Sequence, residues 1–300
     1  MKLEALLACF GQMSCVVTQS TSAMIIGMLL FLVASGVTLI FGVLNVVNFA
    51  HGTLYMLGAY IAYTVYQPTE SYALAVIAGA LGVGIFGVLF ERFLISKVYG
   101  QDVLMQLLVC YGVVLVMDDV VKIVWGVDFM KMGMPAAFRL PPIRIGGGIV
   151  PPFYLFLIGI SMAIGLGLWF VITKTRYGKM IRAAAVNPSM VSALGIRTPV
   201  LFASVFGLGA VLAGAAGALA APVRALTPGM GFSIVIESFI VTVIGGMGSI
   251  GGAFAAAILL GFARSFGSVG FPLFVDGLMF LIMGLVLIFK PAGLFGRSSR

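Results

Sequence analysis

Residues 174–197, KTRYGKMIRAAAVNPSMVSALGIR, form the longest polar interruption in a chain that is otherwise close to continuous hydrocarbon. An apolar run over 150–173 precedes the stretch and another over 199–221 follows it. Each run meets the roughly 20 apolar residues that a helix needs to cross a bilayer. The stretch is therefore a connection between two membrane spans. It carries Lys174, Arg176, Lys179, Arg182 and Arg197 and no acid. Within it, 179–195 reads as a short amphipathic helix with Ala183, Ala184 and Ala185 on a small, smooth face. An ordered basic helix between two spans suits a docking partner. We read it as a coupling helix for a cytoplasmic protein, with the surrounding spans forming a pathway.

Composition agrees with this reading. Of 300 residues, 62% are hydrophobic and 9% charged, against about 45–50% and 25% in soluble domains. Lipid leaves only helices and closed barrels as spanning structures. The apolar runs are far longer than the about ten-residue alternating strands of a barrel. The fold class is all-α: a polytopic integral membrane protein of about eight to nine transmembrane helices with short, Gly-broken segments. Residues 1–300 form a single domain. Candidate spans are 22–45, 52–66, 72–94, 103–125, 150–173, 199–221, 234–248, 252–269 and 272–290.

The net charge of +8 is scattered over loop ends and speaks for membrane orientation, not for nucleic acid. With 174–197 inside, Arg92, Lys97, Lys290, Arg297 and Arg300 also fall inside and the N-terminus outside, in the sense of the positive-inside rule. Cys9, Cys15 and Cys110 form no CxxC pair and read as buried free thiols. The opening MKLEALLACFGQMSC is a poor signal peptide, because Glu4 breaks its apolar part; it reads as a helix on the membrane surface. The loop 126–149 is too rich in Pro and Gly for a helix through most of its length.

Small residues recur four apart: Ala210, Gly214, Ala218; Ala213, Gly217, Ala221; and Gly159, Ala163, Gly167. Such rows let helix backbones approach closely in lipid. Asp118 and Lys122 are one helical turn apart and suited to pair. Glu237, Arg264 and Asp276 fall toward outer helix ends, so the spans contain no mid-depth charge of the kind an ion-driven carrier uses.

Catalytic motifs fail on context. Gly246 to Gly251 spells GxGxxG, but no βαβ unit surrounds it, and a tight turn between two short spans is the better account. No phosphate-binding P-loop occurs, since Gly178-Lys179 lacks both the upstream glycine and the following Ser/Thr. With one His and no Cys cluster there is no metal set and no hydrolase triad. The chain reads as a non-enzyme without cofactor. Asn45, Asn48, His51 and Tyr55 are the densest polar set in the apolar N-terminal region; if helical, Asn48, His51 and Tyr55 share a face. They are either interhelical glue or pathway lining.

The stretch NVVNFAHGTLYMLGAYIAY resembles the signature of the permease subunits of branched-chain amino acid ABC importers, specifically the subunit with an N-F-A-H-G motif. Arg182 to Ala185 through Leu194-Gly195-Ile196 resembles that family's cytoplasmic R-A-x-A…L-G-I loop. Val243 to Ala253 resembles its V-x-G-G-x-G-S-x-x-G-A turn, and Lys290 to Gly296 its C-terminal ending. The resemblance implies an inner-membrane permease that forms a heterodimer with a second, related permease. It also implies two cytoplasmic ATP-binding subunits, which hydrolyse the ATP, and a periplasmic or extracellular solute-binding protein. It carries the coupling role onto Arg182, Ala183, Asn187 and Gly195. The family often has an acid where Asn187 stands, a departure that bears on the partner contact. Pathway or gate candidates are Asn45, Asn48, His51 and Tyr55, with Gly245, Gly246 and Gly248 allowing close backbone approach. The same family includes importers of urea, short amides and aromatic acids. The rival from another class is a self-sufficient secondary carrier or channel for a small neutral solute.

Overall fold

The computed structural model describes residues 3–296; Arg297 and Arg300, counted above among the inner cations, lie outside them. The order is α1 (Leu3–Phe10), α2 (Met13–Leu44), α3 (His51–Thr69), α4 (Tyr72–Phe93), α5 (Val103–Trp125), a hairpin of β1 (Ile143–Ile145) and β2 (Gly148–Val150), and α6 (Pro152–Lys174). Then come α7 (Arg176–Val186), α8 (Pro188–Ala193), α9 (Thr198–Ala220), α10 (Met230–Gly245), α11 (Ile250–Gly270) and α12 (Val275–Phe289). Among the described residues, α2, α4, α6, α9, α11 and α12 (the last counted with the helical turn Pro272–Phe274 that leads into it) are long and apolar enough to cross a membrane. Beside them run α3, the more polar α5 with its Asp118, Asp119 and Lys122, and α10, which is apolar but only 16 residues long.

Each expected span is a helix, most with ends within a few residues. The largest shift is in α2, which starts at Met13 instead of residue 22. The hydroxyls of its polar first turns are satisfied inside the helix, Thr18 and Thr21 donating to the carbonyls of Ser14 and Val17, four residues back.

The centre of the molecule is α2, buried over most of its length from Ile25 onward. Its first half lies antiparallel to α11: Ser265 donates to Gln19, Gly261 meets Ala23, Gly27 meets Ala257, and Phe31 packs edge-on against Phe254. Its second half meets α9, where Gly36 faces Gly209. α4 and α9 are antiparallel as well, with Gly79 against Ala218, Gly84 against Val211 and Gly87 against Ala210. These contacts use the first small-residue row, and Gly217 of the second meets the backbone of Tyr55 on α3, as expected where backbone packing holds helices together in lipid. The third row is different. Gly159 and Gly167 have no neighbour within 4 Å, and Gly159, Ala163 and Gly167 all lie on the exposed side of α6.

Two more expectations are corrected. Cys9 and Cys15 are joined in a disulfide across the corner between α1 and α2, and only Cys110 is free. The two-residue connection at that corner brings their Cα atoms to 5.2 Å, within disulfide reach. α1 docks on α11, with Phe10 stacked on Phe266 and Leu6 beside Gly270. Lys122 pairs with Asp119 at 2.9 Å, not with Asp118, which lies against Gly229 at the start of α10. There its carboxylate faces the positive end of a helix with no cap of its own. In the 126–149 loop the Gly146-Gly147 turn closes the short hairpin, and Gly148 packs on Ser14 and Val17 of α2.

Candidate functional site

The basic stretch folds as two helices, not one over 179–195. Thr175 caps α7 by accepting from the Gly178 N–H (3.1 Å), and Asn187 caps α8 by accepting from the Met190 N–H (3.0 Å). Pro188 forces the break, because the residue before a proline is pushed out of the helical region; Asn187 sits at φ −150°, ψ 92°. The elbow is held to the spans by one face. Gly178, Ile181 and Ala184 are buried, and Tyr177 shares a 2.7 Å hydrogen bond with Ser204 of α9. Ala183, Ala184 and Ala185 do not form one outward face: Ala184 points in and Ala183 out.

All four coupling candidates, Arg182, Ala183, Asn187 and Gly195, are exposed on this elbow. Arg182 also donates to the Ile172 carbonyl, one of the orphan acceptors at the end of α6. Val186, Met190 and Leu194 stand beside them at 83%, 60% and 73% exposure. Together they leave an apolar patch uncovered on an otherwise polar connection. Next to it, Arg92 from the end of α4, Ser192 and residues 195–200 line a cavity of about 500 Å³. The end of α4 and the start of α9 thus share the basic end of the molecule.

The N-terminal polar set is built around a break. α2 ends at Leu44 with Asn45 in the left-handed region (φ 52°), yet His51, which opens α3, lies 3.2 Å from the Val33 carbonyl. Val33 is eleven residues, or about 16 Å, back along α2. The segment 45–50 therefore climbs back into the molecule, and α3 starts near mid-depth. Irregular backbone at that depth is tolerated where protein buries it or where it lines a cavity. Val46, Asn48 and Ala50 are buried while Asn45 is exposed. Cys110 of α5 reaches Asn48 Oδ1 (3.6 Å), and Phe49 stacks on Phe239 of α10 (4.9 Å). Asn48 Nδ2 and His51 Nδ1 are buried without a partner. Because the helix begins only at His51, Asn48 does not share its face; His51 and Tyr55 do.

Gly245, Gly246 and Gly248 form the turn between α10 and α11. Gly246 (φ 95°) and Gly248 (φ 84°) adopt a backbone that L side chains rarely take. The C-terminal segment lies on this turn, with Leu294 and Phe295 donating to the carbonyls of Ile244 and Gly245. Gly42 of α2 touches Gly248. The close backbone approach is real, and its partners are α2, α11 and the chain's own C-terminal segment.

Glu237 is the residue whose place the sequence reading missed. With α10 starting at Met230 and not at 234, Glu237 is its eighth residue, about 10–12 Å from either end. It is 8% exposed and paired with Arg264 of α11. Its carboxylate therefore lies midway along α10, while Arg264 stays about 9 Å from the C-terminal end of α11. Thr227-Pro228-Gly229, a turn signal just upstream, marked the earlier start. Tyr55 faces Glu237 and Arg224, so α3 joins the same polar group.

Comparison with known proteins adds the family. Residues 20–289 match the family described as branched-chain amino acid transport system, permease component. The chain is 29% identical over 296 residues to the high-affinity branched-chain amino acid transport system permease protein BraD of Pseudomonas aeruginosa, covering 94% of this chain and 96% of that one. It is 29% identical to the corresponding protein LivH of Salmonella typhimurium, over 89% and 91% of the two chains. To a probable branched-chain amino acid transport permease, LivH of Methanocaldococcus jannaschii, it is 27% identical over 91% and 90%. No solved structure matches it. With nine-tenths of its length matched and its helices built for a bilayer, the chain belongs to the family of permease components of branched-chain amino acid transport systems.

Proposed function

We propose that this chain is one of two related permeases in an inner-membrane ABC importer for branched-chain amino acids, driven by two cytoplasmic ATP-binding subunits and fed by an external solute-binding protein. The observation that carries the proposal is the elbow of α7 and α8. It presents Val186, Met190 and Leu194 uncovered beside Arg182, Ala183 and Asn187, on the basic end that the positive-inside rule assigns to the cytoplasm. A nucleotide-driven partner seated there pushes on a rigid unit. α7 is anchored to α6 through Gly178 and Arg182, and to α9 through Tyr177. Movement of the elbow reaches the segment 45–50 through α9, which packs on α2 and α3. The pathway then opens alternately to the two sides, a shift between two packings of the same helices. Asn45 and Asn48 act at the gate together with His51 and Tyr55, because the first two sit on the irregular segment 45–50 between α5 and α10 and the other two on the first turns of α3 that continue it.

The test is recovery of the tagged chain from solubilised native membranes. Wild type brings down the ATP-binding subunits and a second permease; Arg182→Glu and Gly195→Trp lose the ATP-binding subunits and keep the second permease. Recovery of the chain alone, with uptake running on a proton or sodium gradient, would sink the proposal.

A further inference from the structure

A polar cavity of about 460 Å³ opens at the other end of the molecule, between α2, α11 and the start of α12. Arg264 of α11 and Asp276 of α12 both line it, and Gln19, Ser22, Ser265 and Ser268 supply further polar groups. Ile26, Pro272 and Val275 form its apolar part. The volume is within the usual range for small-molecule sites, about 300–1,000 Å³. Behind Arg264 stands Glu237, whose second oxygen, Oε2, is buried and has no partner. A purely structural ion pair in a membrane span is expected to satisfy both carboxylate oxygens, since an unmet acceptor is costly there. This pair keeps one acceptor spare, and its cation forms the wall of an open cavity.

We infer that this cavity binds a zwitterion with an aliphatic tail: the carboxylate on Arg264, the ammonium on Asp276, the side chain on Ile26, Pro272 and Val275. Resting on the importer reading above, it is the site where a branched-chain amino acid released by the binding protein first meets this subunit. Glu237 holds Arg264 in place and offers its free oxygen to the ammonium as the solute moves inward. A phosphatidylethanolamine headgroup carries the same pair of charges, so the experiment separates the two sources.

The assembled importer, with its binding protein, is reconstituted in vesicles of phosphatidylglycerol and cardiolipin, whose headgroups carry no cation. ATP-dependent leucine uptake by wild type tests the importer reading by itself, before any variant is compared. Arg264→Gln and Asp276→Asn are expected to lower leucine uptake at least tenfold while ATP hydrolysis stimulated by the binding protein is kept. Ser268→Cys, labelled with a bulky maleimide after assembly, blocks the cavity without asking a variant to fold around the block. Its uptake is expected to stop, and leucine is expected to slow its labelling more than isovalerate or isoamylamine, each of which lacks one charge. Unchanged uptake after full labelling overturns the inference. So does protection of the Ser268→Cys variant from the maleimide that appears only when phosphatidylethanolamine is added.

Discussion

At the scale of single residues, Asn187 shows how a local role explains a departure. The family it resembles often has an acid at this position, and the structure makes the Asn187 side chain the cap of α8. Asn and Asp cap a helix about equally well, and loss of the side chain costs about 1 kcal/mol. Asn187→Asp is therefore expected to retain full ATPase co-purification and uptake. Asn187→Ala should fray α8 and lower co-purification severalfold; equal recovery from both variants would remove the cap from the coupling account. Tyr177 offers a second residue-scale test. Burial raises its phenol above the ordinary 10.0, so it stays protonated and hydrogen-bonded to Ser204 throughout the physiological range. Tyr177→Phe is expected to uncouple uptake from ATP hydrolysis to the same degree at pH 6 and pH 9. A pH-dependent difference would mean that the phenol titrates. Legibility differed at this scale. The coupling residues were readable because a basic run stands out in hydrocarbon. The Glu237–Arg264 pair was not, because a four-residue error in the start of α10 moves a carboxylate about 6 Å in depth.

Among the elements, contacts divide the glycines into two kinds. A Cβ on Gly52 would overlap the Gly231 carbonyl, and one on Gly217 would overlap that of Tyr55, whereas Gly159 meets nothing within 4 Å. Gly52→Ala and Gly217→Ala are expected to lower thermal stability in detergent by several degrees, overpacking of this kind costing about 1–3 kcal/mol. Gly159→Ala should leave stability within error. The small-residue rows were legible as a spacing. Which of them meets a neighbour was not, because spacing along one helix says nothing of the helix opposite. The disulfide escaped for a similar reason: Cys9 and Cys15 become partners only once the chain turns sharply between α1 and α2. In intact cells, a membrane-impermeant maleimide should label them after mild reduction and not before. Labelling without reduction would mean free thiols, and none after reduction would put this corner on the cytoplasmic side.

For the whole molecule, class and span order were legible because lipid permits few solutions, and apolar runs of span length leave little choice between them. The climb of 45–50 back to His51 was not legible. It replaces an ordinary inner loop by buried backbone, and its only sequence mark is a polar set that also suits interhelical contacts. Alone in liposomes, the chain is expected to move no leucine under an ion gradient, with radiolabelled uptake at the level of empty vesicles. Accumulation would show a carrier that needs no partners.

The burial of α2 also sets a problem of timing. The earliest of the described spans to leave the ribosome is the one most buried within the molecule, and its main partners are α9 and α11. α11 is completed about 220 residues after α2, roughly 10–45 s at ordinary elongation rates. Until then α2 stands in the bilayer with Gly27 and Gly36, the points where other backbones will later lie against it, open to any passing helix. Ser35 meanwhile donates to its own Leu32 carbonyl, so that hydroxyl asks nothing of the lipid. A nascent chain stopped before α9 displays that open surface, which gives an insertase a helix to shelter and a membrane protease a way to recognise an unfinished subunit.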